Sequence, residues 1–463
     1  MADDLPEKLK SGEPARLFPV LAETSKEGRA LSVLLACVAN IDDLGRTLLS
    51  TVGQRVGIRA RVKTFTEVVL ENAPEGVSGR PDGLIVVEIG RRSWSALIEA
   101  KVRRARLDSD QVQAYLRLAR ANGVDAVITI SNEFTAVPHH HPIRVSRLPK
   151  GVGLFHWSWT SILTYAKVLL AAEEVEDREQ LFLLAELVRF LDHPSTGVLR
   201  FDRMGADWRN VVTSVVAGAK LARTSDAVVD TVASWHQECR DLALKLTELV
   251  NANVVIRLPM AHRTDPRRRV VDEAATFCNT ATLAVEFNVP AAASPIKVQA
   301  DLRTRSIQVS MNLRAPGDRK SSRARTNWLL RQLVGSDAWD LHVRAVWPGR
   351  RTPTMNTLEV VRADPDAIRA ENPALSPRAF EVVLVRDAGA RFSGTKTFVD
   401  ELETSVLRFY AEVGQRLKPW QPSAPRIVTQ KEPIQKESTA HSNDKADTQT
   451  VTLDTSEEHH AEV

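Results

Sequence analysis

The sequence predicts an α/β protein: a mixed-sheet core of order α-β-β-β-α-β within residues 1–195, a separate α+β domain over 205–420, and a disordered tail over 421–463. Three observations carry this expectation. Apolar spacing switches from helical to strand-like and back along the first 195 residues. Two β runs, 82–89 and 94–102, flank a tight Gly90-Arg91 step. Composition then changes twice, at His193-Pro194-Ser195-Thr196-Gly197 and again at Gln421.

The elements follow in order. Leu31, Leu34, Leu35, Val38, Ile41, Leu44 and Leu48 recur at helical spacing over 26–52, as one long helix or two short ones, with Thr24 and Ser25 as candidate caps. Residues 58–71 read as a strand, and 74–79 as a turn. The hairpin 82–102 comes next. Val112, Tyr115, Leu116 and Ala119 predict a helix over 108–122. The β-branched run 125–131 predicts a buried strand. A polar loop with His139–His141 reads as solvated, and a strand near 154–159 is followed by helices near 160–173 and 178–192. Beyond 205, helices run to Val250. Strands are expected near 253–258, 281–288, 297–303, 305–313, 340–347 and 379–385, and a last helix at 397–417. From Gln421 onward too few large apolar residues remain to offset the entropy of ordering.

Composition bounds the chemistry. The chain has 463 residues and a formal net charge of +4. The tail is acidic, so residues 1–420 hold 58 basic against 50 acidic residues, an excess of +8. That is compatible with a polyanionic partner and does not establish one. Cys37, Cys239 and Cys278 are too few and too scattered for a disulfide framework or a Cys-x-x-Cys metal site. The start of the chain has no secretory signature, and no run approaches the roughly 18 apolar residues that span a bilayer. These features predict a cytoplasmic, bacterial protein with no membrane partner. They leave oligomeric state open, a homo-oligomer included.

Chemistry concentrates at 80–102. If Gly90-Arg91 is a two-residue type II′ loop, Ile89 pairs with Arg92, and the register counted back places Asp82 across from Glu99, with Cβ atoms about 4.5–5.5 Å apart. Lys101, two residues past Glu99, shares its face. Two carboxylates and an ammonium at the ends of apolar strands are costly unless they are paired or hold a cation. Their oxygens suit Mg²⁺, with Mn²⁺ as the substitute.

Together, Pro81-Asp82 and Glu99-Ala100-Lys101, each on a strand in this element order, resemble the PD-(D/E)xK nuclease superfamily. The resemblance covers about residues 20–195. It implies a restriction-endonuclease-like fold and a metal held by Asp82, Glu99 and the Ala100 carbonyl. It also implies a catalytic role for Lys101 and a nucleic-acid substrate, DNA rather than RNA. Gln111-Val112-Gln113-Ala114-Tyr115 is similar to the Gln-x-x-x-Tyr element of exonuclease-type members. Gln111 and Tyr115 share a helix face, while Gln113 points elsewhere. Many members carry a glutamate on the first core helix, a role open to Glu27 or, from a strand, to Glu67.

Basic groups accompany the motif: residues 51–120 hold 13 Lys/Arg against 8 Asp/Glu, and Arg103, Arg104 and Arg106 follow the second β run directly. Residues 301–331 hold eight basic and two acidic residues, with the loop 314–325 leading into a helix. That loop and, more weakly, Arg267-Arg268-Arg269 are candidate phosphate contacts. No phosphate-binding Gly-x-x-x-x-Gly-Lys-Ser/Thr loop and no Gly-x-Ser-x-Gly elbow is present. The expectation is a Mg²⁺-dependent nuclease acting in defence or repair, with residues 205–420 as a targeting or regulatory domain. The alternative is a non-catalytic nucleic-acid or protein-binding module on a nuclease-like fold.

Overall fold

Strict alternation in the hairpin sorts its side chains between two different helical layers. Ile85, Val87, Ala96 and Ile98 face one hydrophobic cluster, while Leu84, Val86 and Leu97 face another. The computed structural model describes residues 6–19, 25–75, 77, 79–135, 138–336 and 340–422. The first half contains β1 (Leu9–Pro14), α1 (Lys26–Asn40), α2 (Asp42–Ser50), β2 (Arg61–Leu70), β3 (Gly83–Ile89) and β4 (Arg92–Ala100). It continues with α3 (Ser109–Ala121), β5 (Ala126–Ser131), β6 (Gly153–Ser158), α4 (Trp159–Ala171) and α5 (Arg178–Asp192). The six strands lie side by side in chain order. Strands β1 to β4 pair antiparallel, and β4, β5 and β6 pair parallel, so the sheet is mixed. Helices α1, α2, α4 and α5 cover one face, and α3 covers the other.

The strand β1 has no counterpart in the sequence reading. Its Leu-Lys-Ser-Gly-Glu-Pro carries one buried apolar residue, Leu9, and its pairing with β2 is broken by two register shifts. Residues 26–52 form two helices rather than one. Ile41 breaks them with φ −118° and ψ 101°, and its fully buried side chain anchors the corner. Thr24 lies outside the described residues, and Ser25 precedes α1 without a side-chain capping bond. At Gly45 a Cβ atom would sit 2.6 Å from the Val38 carbonyl oxygen. Overpacking against backbone has no flexible side chain to yield, so Gly45→Ala is expected to lower stability by about 1–3 kcal/mol. Denaturant unfolding checks this, and an unchanged midpoint would mean that α1 and α2 can part freely.

The second half contains α6 (Trp208–Val216), α7 (Asp226–Val250), β7 (Val255–Ile256), α8 (Met260–Thr264), α9 (Pro266–Thr280), β8 (Thr282–Asn288) and β9 (Ile296–Asp301). Then come β10 (Ser306–Arg314), α10 (Ser322–Gln332), β11 (Leu341–Val346), β12 (Thr354–Thr357), α11 (Leu358–Ala363), β13 (Ala379–Asp387) and α12 (Thr395–Glu412). Its seven strands form a separate antiparallel sheet of order β12-β11-β13-β10-β9-β8-β7. Period-2 alternation is clean here: Ile296, Val298 and Ala300 face the core, and Lys297, Gln299 and Asp301 face the other way. Trp208, Trp235, Phe392 and Phe398 join that core from the helices and the loop before α12.

Two further expectations are revised. Arg267-Arg268-Arg269 lies in α9, where buried Arg269 pairs with Glu273 and is no free phosphate ligand, while Arg268, 3.4 Å from Asp272, stays exposed. The last helix ends at Glu412, five residues before the expected 417, in a short 3₁₀ turn. Among the described residues, no helix is long and apolar enough to cross a membrane. The tail expected to be disordered lies, from residue 423 on, outside the described residues.

Candidate active site

The site begins with a turn. Gly90 takes φ 62° while Arg91 does not turn positive, as a type II′ loop wants, and the ladder runs Ile89↔Arg92 back to Gly83↔Ile98. The ladder stops there, one step short of Asp82 and Glu99, so the pair expected by counting is not part of it. Asp82 lies just before β3 rather than on it, and Lys101 just after β4. The Ala100 N–H donates to Asp82 Oδ2 at 2.9 Å, so the aspartate clasps the end of the neighbouring strand. The backbone at Lys101 is held on both sides: its N–H donates to the Ile130 carbonyl at 2.8 Å, and the Trp159 indole N–H donates to its carbonyl at 2.8 Å.

Burial sets the electrostatics. Glu99 is 1% exposed. Its Oε1 bonds the Lys101 ammonium, and its Oε2 has no hydrogen-bond partner among the described residues. Lys101 also donates to Glu27 Oε1 at 3.1 Å, and Glu27 Oε2 accepts from the Val102 N–H at 3.3 Å. Glu27 is thus brought to the site from α1 and fastens Lys101 to the end of β4. Burial alone would lower the Lys101 pKa, but the hydrogen bond and charge of Glu99, then Glu27 and Asp82, outweigh it and hold the ammonium above its ordinary value. Asp82 is pushed up to about 8, chiefly by burial and then by the Glu99 charge.

The Asp82 shift has a definite sign in stability. A carboxyl whose folded pKa exceeds its unfolded value of 3.8 contributes stability that is fully present below about pH 4 and is lost as pH rises through about 8. Metal-free wild type is therefore expected to lose thermal stability between pH 6 and 9, and Asp82→Asn to lose less over that interval. Melting curves at matched ionic strength test this. Parallel profiles for the two proteins would show that Asp82 is ionised throughout.

On the opposite face from α1, α3 supplies the Gln-x-x-x-Tyr pair. Asp108 caps that helix through the Asp110 and Gln111 N–H groups, which places the first turn at the strand ends. Gln111 Nε2 donates to the Tyr115 hydroxyl at 2.9 Å, and that hydroxyl donates to the Arg80 carbonyl at 3.1 Å. The pair therefore holds the loop that carries Asp82. Tyr115 is buried, and its pKa is raised by burial and by the Glu99 charge. Gln113 turns away to the Ser146-Arg147 loop.

Glu67 sits beside Asp82 in a different manner from the regular strand position expected. Its φ of 55° marks a kink in β2, its N–H donates to the Asp82 carbonyl at 3.1 Å, and its carboxylate pairs with Arg80 at 2.6 Å. Glu67 and Asp82 share the wall of a pocket of about 320 Å³ with Glu13, Arg16 and Ser32. The sequence reading missed the β1 contribution to this wall, since β1 itself carried no strand signal.

The histidine loop is not solvated as expected. His140 is buried, and its Nε2 lies 2.6 Å from the Arg263 carbonyl. His141 Nε2 and His156 Nδ1 both approach the Thr129 hydroxyl at 2.8 Å. Burial pushes His141 down to about 4 and His156 to about 3, so both rings are neutral at physiological pH. Arg103, Arg104 and Arg106 are exposed where β4 leaves the sheet. The expected loop 314–325 is shorter, since Arg314 ends β10 and α10 begins at Ser322; on α10, Arg325 bonds the Arg319 and Pro377 carbonyls and Arg323 pairs with Asp366, which leaves the segment less free charge than its sequence implies.

The donors present fit a hard divalent ion. Asp82 and Glu99 supply carboxylates close enough for the Glu99 charge to act on Asp82, and the buried unpartnered Glu99 Oε2 is a site where a cation would replace lost hydration. No family model, curated protein or solved structure matches the chain.

Proposed function

We propose that the first half of this chain is a Mg²⁺-dependent nuclease with a nuclease-like α-β-β-β-α-β core, hydrolysing phosphodiester bonds in nucleic acid, DNA in preference to RNA. One observation carries the reading. Asp82 accepts from the Ala100 N–H next to Glu99, and the Glu99 carboxylate is buried with Oε1 bonded to Lys101 and Oε2 unpartnered among the described residues. Asp82, Glu99 and the Ala100 carbonyl would hold the ion. Bound there, it would polarise the phosphodiester and lower the pKa of a water.

The chain's own residues do the rest. Lys101 places a fixed positive charge beside the metal ligands, where charge develops on phosphate oxygens. Glu27 positions that ammonium, and Gln111 and Tyr115 hold the Arg80-Pro81-Asp82 loop against α3. Arg103, Arg104 and Arg106 supply backbone phosphate contacts. The alternative, a non-catalytic binding module, is favoured by the same ammonium, which already neutralises part of the acidic cluster. Incubation of purified protein with linear, circular and single-stranded DNA and with RNA, in Mg²⁺, Mn²⁺ or EDTA, separates the two. Cleavage of any substrate that EDTA abolishes supports the nuclease; binding without cleavage under every metal supports the module.

A further inference from the structure

Among the described residues, one convergence of three carboxylates lies away from the proposed catalytic residues. On α7 and α12, Glu238, Asp241 and Glu403 each bring one oxygen within 4.8 Å of the other two, a grouping that Glu27, Asp82 and Glu99 do not achieve. Glu238 and Asp241 are three residues apart on α7 and share a face. Glu403 arrives from α12, which packs on α7.

The cluster is largely buried and meets little positive charge. Glu238 and Asp241 are 0% exposed. Lys245 bonds Glu403 and lies 2.8 Å from Asp241 Oδ2. Arg200, bonded to Glu248, stands 3.8 Å from Asp241 Oδ1. Four carboxyl groups thus meet two cations, and with all four ionised two negative charges would stand uncompensated, the charge of one divalent ion. Glu238 is the decisive member. Among the described residues neither of its oxygens has a hydrogen-bond partner, although one is turned toward Asp241 and Glu403. A purely structural ion-pair network would be expected to give its most buried carboxylate a donor, because an unpaired buried charge is the costliest arrangement.

We propose that Glu238, Asp241 and Glu403 form a second divalent-cation site, joining α7 to α12 in the second half of the chain. The donors are all carboxylate oxygens, which select a hard ion such as Mg²⁺, Mn²⁺ or Ca²⁺ over thiolate- or imidazole-seeking metals. The ion would supply the two missing charges and tie together helices whose other contacts are largely apolar. Its role is structural, since two of its three ligands, Glu238 and Asp241, are fully buried between the helices.

The test uses the full chain, stripped with EDTA and then titrated with Mn²⁺, Mg²⁺ or Ca²⁺. The number of tightly bound Mn²⁺ ions per chain is expected to fall by one in Glu238→Gln, and the metal-induced rise in melting temperature to shrink with it. Asp82→Asn, which disables the proposed catalytic site, keeps this loss separate: the Glu238-dependent ion should persist in it. Glu403→Gln, at a partly exposed position that tolerates change better, provides the second variant should Glu238→Gln fold poorly, and it should lose the same ion. If the cluster instead holds protons, Glu238→Gln replaces a neutral acid by its neutral isostere. The metal count and the melting response would then be unchanged in both variants, which would overturn the site.

Discussion

Replacing Asp82 by Asn, or Glu99 by Gln, is expected to lower metal-dependent cleavage by at least about 10³-fold, the scale on which groups acting as a unit fail when one is removed. Nucleic-acid binding should change little, because most phosphate contacts come from Arg and Lys. The amide variants are the sharper choice over alanine. An Asn oxygen can still accept from the Ala100 N–H that Asp82 Oδ2 holds at 2.9 Å, so the strand end keeps its clasp while the carboxylate charge is lost. Cleavage rates and filter-binding constants measured on one preparation read both effects. Undiminished cleavage in Asp82→Asn would remove the carboxylate pair from the reaction.

Lys101→Ala is expected to cost about 10²-fold or more in rate, as removal of one preorganised electrostatic group does. Lys101→Arg is expected to keep a substantial part of that rate. The reasoning starts from the two carboxylates that grip the ammonium, Glu99 and Glu27, which outweigh burial and hold its pKa above the ordinary value. With its proton held by Glu99 and Glu27, Lys101 is expected to act through charge, which a guanidinium retains. Equal loss in the Arg and Ala variants would mean that the lysine works as a proton acceptor. Glu27→Gln, which loosens Lys101 without touching the carboxylate pair, should fall between these limits, about 10-fold to 100-fold down, as for other partners one step removed from a reacting group.

What could be read from the chain alone was whatever depends on near neighbours. The period-2 runs on either side of Gly90-Arg91 determine a hairpin, and its two-residue loop determines the register, so the ladder from Ile89↔Arg92 to Gly83↔Ile98 follows by counting, though it stops one step short of Asp82 and Glu99. Gln111 and Tyr115 share a face because four residues make about one helical turn. Period-2 alternation likewise foresaw six of the seven strands of the second sheet and missed the four-residue β12. Where the local signal was weak, as in β1 with its single buried Leu9, the element went unseen.

Tertiary structure decided what joins residues far apart in the chain. Glu27 reaches Lys101 across 74 residues because α1 packs over the end of β4. Nothing in its neighbourhood distinguishes it from a glutamate in the first turn of any helix. His141 and His156 converge on Thr129 because β5 and β6 are parallel neighbours, and that pairing buries a loop whose composition reads as solvated. Glu403 meets Glu238 and Asp241 only through the packing of α12 on α7. Local geometry is fixed by backbone sterics and side-chain periodicity, which the sequence carries residue by residue. The meeting of distant polar groups depends on which apolar faces share a core, and many sequences with the same local pattern would bury different partners.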